Sequence, residues 1–350
     1  MATVVTFGEI MLRLSTPGFQ RFAQATTFDA TYGGGEANVA VSLALFGHDA
    51  RVVCKLPAHA IGQGAVDTLR RYGVDTQFVV RGGERVGIYF LETGASQRPS
   101  TVVYDRAHSA VSEMDPAEVD WEAAFDGADW FHWTGITPAL GDKPRAAVEA
   151  ACRAAKAAGA IVSCDLNFRS KLWTTSEAQA AMRPLMEYVD VCIANEEDAD
   201  RSLGVRTEGS GAEAAASAEL DEDGYARLAE TLQADFGFDA VAITLRESHS
   251  ASDNGWSAMV LGGAGSAAPA SKPVRSRHYD VRLVDRVGGG DSFAAGLIHG
   301  LLTKDTAEAA LEFAVAASAL KQTIPGDLNL TSAEEVEKLA GGSGSGRVER

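Results

Sequence analysis

Asp285-Arg286-Val287-Gly288-Gly289-Gly290-Asp291 runs directly into Ser292-Phe293-Ala294-Ala295-Gly296-Leu297, and the reading of the whole chain turns on this join. Three consecutive glycines allow a tight turn whose backbone can approach a ligand without side-chain interference, and the Ala-rich apolar run after them predicts a helix opening there. Free N–H groups at a helix N-terminus attract anions, so the glycines would face phosphate oxygens. Asp291 falls in the first turn, where a carboxylate can take a proton from an attacking hydroxyl. Taken alone, the run is equally well a strand-to-helix turn capped by an aspartate. Position and neighbours decide.

The chain has 350 residues, 46% of them hydrophobic, and no long linker, which predicts one large domain with a small appendage. No run approaches the roughly 20 apolar residues of a membrane span, and the start, Met1 to Gly8, lacks a basic segment and a cleavage site. A soluble cytoplasmic protein is expected. Cys54, Cys152, Cys164 and Cys192 stand singly in apolar stretches and read as reduced packing residues. A formal net charge of −17 argues against nucleic acid or an anionic membrane as partner. Binding an anionic substrate would therefore depend on a few local arginines and backbone amides. The basic residues are 8 Lys against 23 Arg, a skew that fits either a salt-adapted protein or an Arg-for-Lys codon bias.

Short apolar runs alternate with helical patterns, the signature of βαβ units and a parallel sheet with helices on both faces. Val4 to Phe7, Ala50 to Cys54, Trp130 to Trp133, Ala160 to Cys164, Val189 to Ala194 and Ala240 to Leu245 read as strands. Ala37 to Phe46, Gly64 to Tyr72, Pro144 to Ala158, Ala178 to Tyr188 and Tyr225 to Phe236 read as helices. Phe19 to Tyr32 and Gly87 to Tyr104 alternate like antiparallel strands with no helix between them, which predicts a small separate sheet able to act as a lid. Residues 207–223, rich in Glu, Ala, Gly and Ser, read as an acidic solvated insertion, and residues 341–350 as a flexible tail.

A second cluster, Gly33-Gly34-Gly35-Glu36-Ala37-Asn38, also precedes a helix but lacks the strand–GxGxxG–helix order of a dinucleotide fold. Asn38 offers a donor and an acceptor to a hydroxylated molecule. The two glycine clusters, about 250 residues apart, together resemble the two signatures of the ribokinase-like (PfkB) carbohydrate kinases, and the resemblance covers essentially the entire chain. It implies an α/β fold: a three-layer α/β/α with a mostly parallel central sheet and a small β-sheet lid. It also implies a single kinase domain over 1–340, with lid strands from about 11–35 and 85–107. The implied catalytic roles fall on Asp291 as general base and on Gly288, Gly289 and Gly290 as an anion hole. Where the family usually has Thr-Gly-Ala-Gly-Asp, this chain has Val287 and Gly289. Gly for Ala is harmless to a cradle of amides, whereas Val287 removes a hydroxyl that could serve nucleotide or cation contacts.

Within the family, Gly8-Glu9-Ile10-Met11-Leu12-Arg13-Leu14, Tyr104-Asp105-Arg106, Asp165-Leu166-Asn167-Phe168-Arg169 and Pro325-Gly326-Asp327 resemble the subgroup acting on 2-keto-3-deoxygluconate. A sugar acid needs an arginine to meet its carboxylate. Arg106 and Arg169 stand at the matching positions, with Tyr89 and Tyr104 packing on the sugar and Gly34, Gly35, Asn38 and Asp327 completing its site. For the nucleotide, Asn195-Glu196-Glu197-Asp198 resembles the family's Asn-x-x-Glu motif, and Asn167, Thr244, Arg246, Gly288 and Gly290 fall where relatives meet ATP. Magnesium would be held mostly by ATP oxygens and water, near Glu197 and Asp198, and a requirement for a monovalent cation is left open. His108, His132 and the other histidines lack metal spacing.

The resemblance thus implies ATP-dependent phosphorylation of the terminal hydroxyl of 2-keto-3-deoxygluconate, with sugar acid and ATP as the small-molecule partners. Fructokinase, ketohexokinase or another hexose kinase is the alternative within that chemistry, and a non-catalytic sugar-acid sensor lies outside it. The family also implies a homodimer through the lid, which would cover the lid's sheet edge.

Overall fold

The computed structural model describes residues 1–206 and 222–342; most of the insertion at 207–223 and most of the tail at 341–350 lie outside them. Along the first half of the chain run β1 (Thr3–Phe7), β2 (Met11–Ser15), β3 (Asp29–Gly33), β4 (Asp49–Leu56), β5 (Val79–Arg81), β6 (Gly87–Glu92) and β7 (Thr101–Asp105). The second half carries β8 (Trp130–Thr134), β9 (Ile161–Asp165), β10 (Val191–Ala194), β11 (Ala240–Ser248), β12 (Asp253–Gly262), β13 (Ala270–Arg275) and β14 (Tyr279–Arg282).

Ten of these strands form the large sheet, in the order β13-β12-β11-β10-β9-β8-β1-β4-β5, with β14 also pairing with β12. From β11 to β5 every pairing is parallel. The strands of this half are buried on both faces, as parallel strands covered by helices must be: every residue of β8 is buried. Helices pack around the sheet and complete the α/β fold. The helix Gly289–Thr303 lies against both Gly35–Leu45 and Ala307–Lys321. It is buried nearly all round, and Gly296 and Gly300 let it press onto the backbone of Ala314 and Ala310. That contact holds the helix that begins with the glycine run.

The large sheet also carries three antiparallel strands, β12, β13 and β14, that no periodicity in the sequence signalled. β12 is buried over nine of its ten residues, so its apolar run carries no period of two.

β3, β2, β6 and β7 form a separate four-stranded sheet, with a parallel pairing of β2 and β6 at its centre. The strand-like alternation expected over Phe19 to Tyr32 is realised in only part of that segment. Only Asp29–Gly33 is a strand, residues 16–28 form a connection, and the partner strand is Met11–Ser15. Thr16 to Gln24 close this connection through turns: Gln20 and Gln24 donate to Pro17 and Arg21 carbonyls, and the Thr16 hydroxyl donates to the Gln20 carbonyl. Cys54, Cys152, Cys164 and Cys192 are all buried thiols.

Candidate active site

A cavity of about 490 Å³ opens where the C-terminal ends of β9, β10 and β11 meet the inner face of the small sheet. Crevices at the carboxyl ends of parallel strands are where open α/β sheets present loops to a ligand. The two glycine clusters, so far apart in sequence, meet on this cavity: Asn38 Nδ2 donates to Asp291 Oδ2 at 2.7 Å. Asn38 is buried, and its Oδ1 accepts the Gly34 N–H, so the amide is held from both ends. Asn38, expected to offer its amide to a hydroxylated ligand, lines the cavity and also orients Asp291.

The glycine run forms the turn that the sequence predicted. Gly288 caps the helix Gly289–Thr303 at φ 84°, a left-handed conformation, and a Cβ there would strike the Asp327 carbonyl. The Ser292 N–H makes the first helical bond, to Gly288 O. The N–H groups of Gly290 and Asp291 precede it and have no acceptor within the helix, so they are free for an anion in the cavity. A Cβ on Gly289 would meet only ordinary contacts at 3.4 Å and beyond, so alanine fits at that position. Burial pushes the Asp291 carboxyl up to about 6; the Asn38 donor opposes this and Asp327 adds to it.

Arginines and aromatic rings line one side. The Arg106 guanidinium stacks 4.2 Å from the Tyr104 ring centre and donates from Nη1 to Glu9 at 3.0 Å, while its buried Nε has no partner among the described residues. Arg169 donates to the Phe168 carbonyl and forms no ion pair within 4 Å among the described residues. Both therefore hold unspent donors at the cavity wall. Tyr89 reaches the cavity but donates its hydroxyl to Asp327 at 2.6 Å. Asp327 is likewise committed: its other oxygen accepts from Arg13 at 2.6 Å, and Arg13 also bonds Asp285 at 2.5 Å. Asp327, expected to touch the substrate, thus lines the cavity and also anchors the lid through Arg13 and Tyr89.

On the other side Asn167, Asn195, Thr244 and Arg246 line the same cavity. Asn167 is buried with φ 39°, and the Asn195 side chain caps the short helix Glu196–Asp198 by accepting the Asp198 N–H. Asp198 is buried and accepts the Phe168 N–H, whereas Glu197 is exposed at the rim. Burial raises Asp198 to about 6, opposed by Arg169. Asp165 is raised well above the usual range by burial, then by Asp198 and Asp291. Sequence reasoning gave Asp165 no role, although it sits in a quoted motif. Arg286 is the other omission: it lines the cavity, donates to Asn254 at 3.2 Å, and its Nε has no partner among the described residues. Burial and the neighbouring Arg246 charge lower its pKa. A cation two residues before a phosphate-type turn was the available signal.

The pfkB family carbohydrate kinase description matches residues 1–245 and 256–333. A 2-dehydro-3-deoxygalactonokinase of Haloferax volcanii is 34% identical, over 99% of this chain and 98% of its own length. The crystal structure of a 2-dehydro-3-deoxygluconokinase from Thermotoga maritima superposes with a TM-score of 0.91 at 52% identity, covering 97% of this chain and 98% of that one. A fructokinase with bound ATP from Xylella fastidiosa shares the fold at a TM-score of 0.73 and 22% identity, over 97% and 98% of the two chains.

Proposed function

The chain belongs to the pfkB family of carbohydrate kinases, and from that premise we propose that it phosphorylates the terminal hydroxyl of 2-keto-3-deoxygluconate with ATP. The observation that carries the reading is the Asn38–Asp291 bond, which aims a carboxylate of raised pKa at the mouth of the glycine turn. Asp291 removes the proton from the sugar hydroxyl as its oxygen bonds to the γ-phosphorus. The bond from that phosphorus to the bridging oxygen breaks, and ADP leaves with the electron pair. The N–H groups of Gly290 and Asp291 stabilise the charge on the transferring phosphoryl oxygens.

Arg106, stacked on Tyr104, and Arg169 are the carboxylate readers, each with donors to spare on the cavity wall. Gly34, Gly35 and Tyr89 pack on the sugar chain. Arg246 and Arg286, two neighbouring guanidinium groups with no ion pair within 4 Å among the described residues, suit a polyphosphate, with Asn195 and Thr244 beside it. The carboxyls of Asp165 and Asp198, both raised by burial, the first also by Asp198 and the second by Glu197 and Glu196, fit a site completed by a divalent cation, and Mg²⁺ carried on ATP would supply charge there. The four-stranded sheet acts as a lid that excludes water.

An assay of ADP release over a panel of sugars and sugar acids tests the reading. Turnover with 2-keto-3-deoxygluconate far above that with fructose is expected, and Arg169→Ala removes most of the difference. A protein that prefers fructose from the outset contradicts it.

A further inference from the structure

Lys321 is the one lysine among the described residues with no exposed surface at all. It ends the helix Ala307–Lys321, and its side chain turns back beneath the glycine turn, where a Cβ on Gly288 would lie 3.1 Å from Lys321 Cε. No carboxylate pairs with the ammonium within 4 Å among the described residues. Its partners are two main-chain carbonyls, Asp285 O at 3.3 Å and Ile324 O at 3.2 Å. Carbonyl oxygens converging on a compact buried charge are how proteins hold monovalent cations, and an ammonium is a point charge of similar size. The two carbonyls come from the two loops that frame the turn. Asp285 begins the glycine stretch and accepts the Val287 N–H; Ile324 belongs to the loop that continues to Gly326, whose N–H donates to the Asp285 carboxylate.

The charge also reaches the proposed base. Lys321 acts to lower the pKa of Asp291, against the burial that raises it. Burial lowers the pKa of Lys321 itself, and Asp285 and Asp327 oppose that.

We propose that the Lys321 ammonium is a tethered monovalent cation: it locks the two loops behind the anion hole and supplies positive charge there, so that turnover needs no dissolved K⁺ or Na⁺. Lys321 is thus a positioning residue that acts through the turn and Asp291. The inference rests on the phosphoryl-transfer reading of the site.

The test measures turnover at constant ionic strength with choline, Na⁺, K⁺ or NH₄⁺ as the chloride salt. Wild-type turnover in the choline series bears on the kinase reading itself, and its change on adding K⁺ bears on Lys321, so the two can fail separately. Wild-type rates within about twofold across the series are expected, and a gain of about tenfold or more with K⁺, Na⁺ or NH₄⁺ overturns the proposal. Lys321→Ala, checked for folding by circular dichroism, is expected to lose about tenfold or more in choline and to regain much of it with K⁺ or NH₄⁺. Its acidic pH–rate limb moves upward in choline and returns with the cation, which a merely structural lysine would not produce. Lys321→Met, which leaves no space for an ion, is expected to lose activity without rescue. Full activity of either folded variant in choline, or a loss in Lys321→Ala that no cation restores, overturns the proposal. Should neither variant fold, the wild-type series alone decides.

Discussion

At Asp291 the burial that raises the carboxyl to about 6 serves the chemistry and costs stability. An acid whose folded pKa lies above its ordinary value holds a proton that the unfolded chain has already lost, so the cost is absent below about pH 4, grows between pH 4 and 6, and is complete above. Asp291→Asn is expected to lower turnover about a thousandfold while stabilising the protein by about 1–2 kcal/mol at pH 8, with no gain at pH 4; urea unfolding at the two pH values checks the sign. In the wild type, kcat/KM is expected to rise with pH through about 6, because only the ionised base accepts the proton. Asn38→Ala removes the donor that holds this pKa down, so the limb should move to higher pH and turnover fall by about tenfold or more. An unmoved limb in that variant would show that the bond does not tune the base. The sequence identified both residues but not that they touch, since 253 positions separate them and the fold alone closes that distance.

Among the elements, β2 ties the lid to the phosphate turn. Its Arg13 lies between Asp327 and Asp285, and Tyr89 of β6 adds a bond to the same Asp327. In the alternating Met11-Leu12-Arg13-Leu14 an arginine reads as a solvent-facing strand residue, yet here Met11, Arg13 and Tyr89 are the buried residues, while Leu12 packs against the main core and Leu14 stays half-buried. The partners stand 272 and 314 positions away, which no local pattern can reveal. Glycine turns and helix starts were legible because their requirements are local: Gly288 needs its positive φ whatever surrounds it. Buried β12 and the ion network were not, because each is set by tertiary packing. Arg13→Ala leaves two buried carboxylates without their cation and is expected to cost about 3–5 kcal/mol in urea unfolding at pH 7. A loss below about 1 kcal/mol would mean that the lid does not depend on this tie.

For the whole molecule, the outer face of the lid is the surface most in need of a partner. Leu14, Phe90 and Val103 are register neighbours that, with Ile88 two residues along β6, face away from the cavity, and Val103 and the adjacent Phe28 remain 48% and 40% exposed. A second copy of the chain seated there would cover both this apolar face and the edge strands, the arrangement proposed for a homodimer. Light scattering is expected to give twice the chain mass, and Phe90→Asp with Val103→Asp to give the single mass. A wild-type monomer at micromolar concentration would refute the pairing. The acidic surface, net charge −17, leaves recognition of an anionic sugar and ATP to the few arginines on the cavity wall. The role of Asp291 as the base of a sugar-acid kinase is tested by steady-state ADP release with 2-keto-3-deoxygluconate, measured side by side for wild type and Asp291→Asn. Sugar-acid-dependent turnover is expected in the wild type, with a loss of about a thousandfold in the folded variant; near-normal turnover of Asp291→Asn would contradict that role.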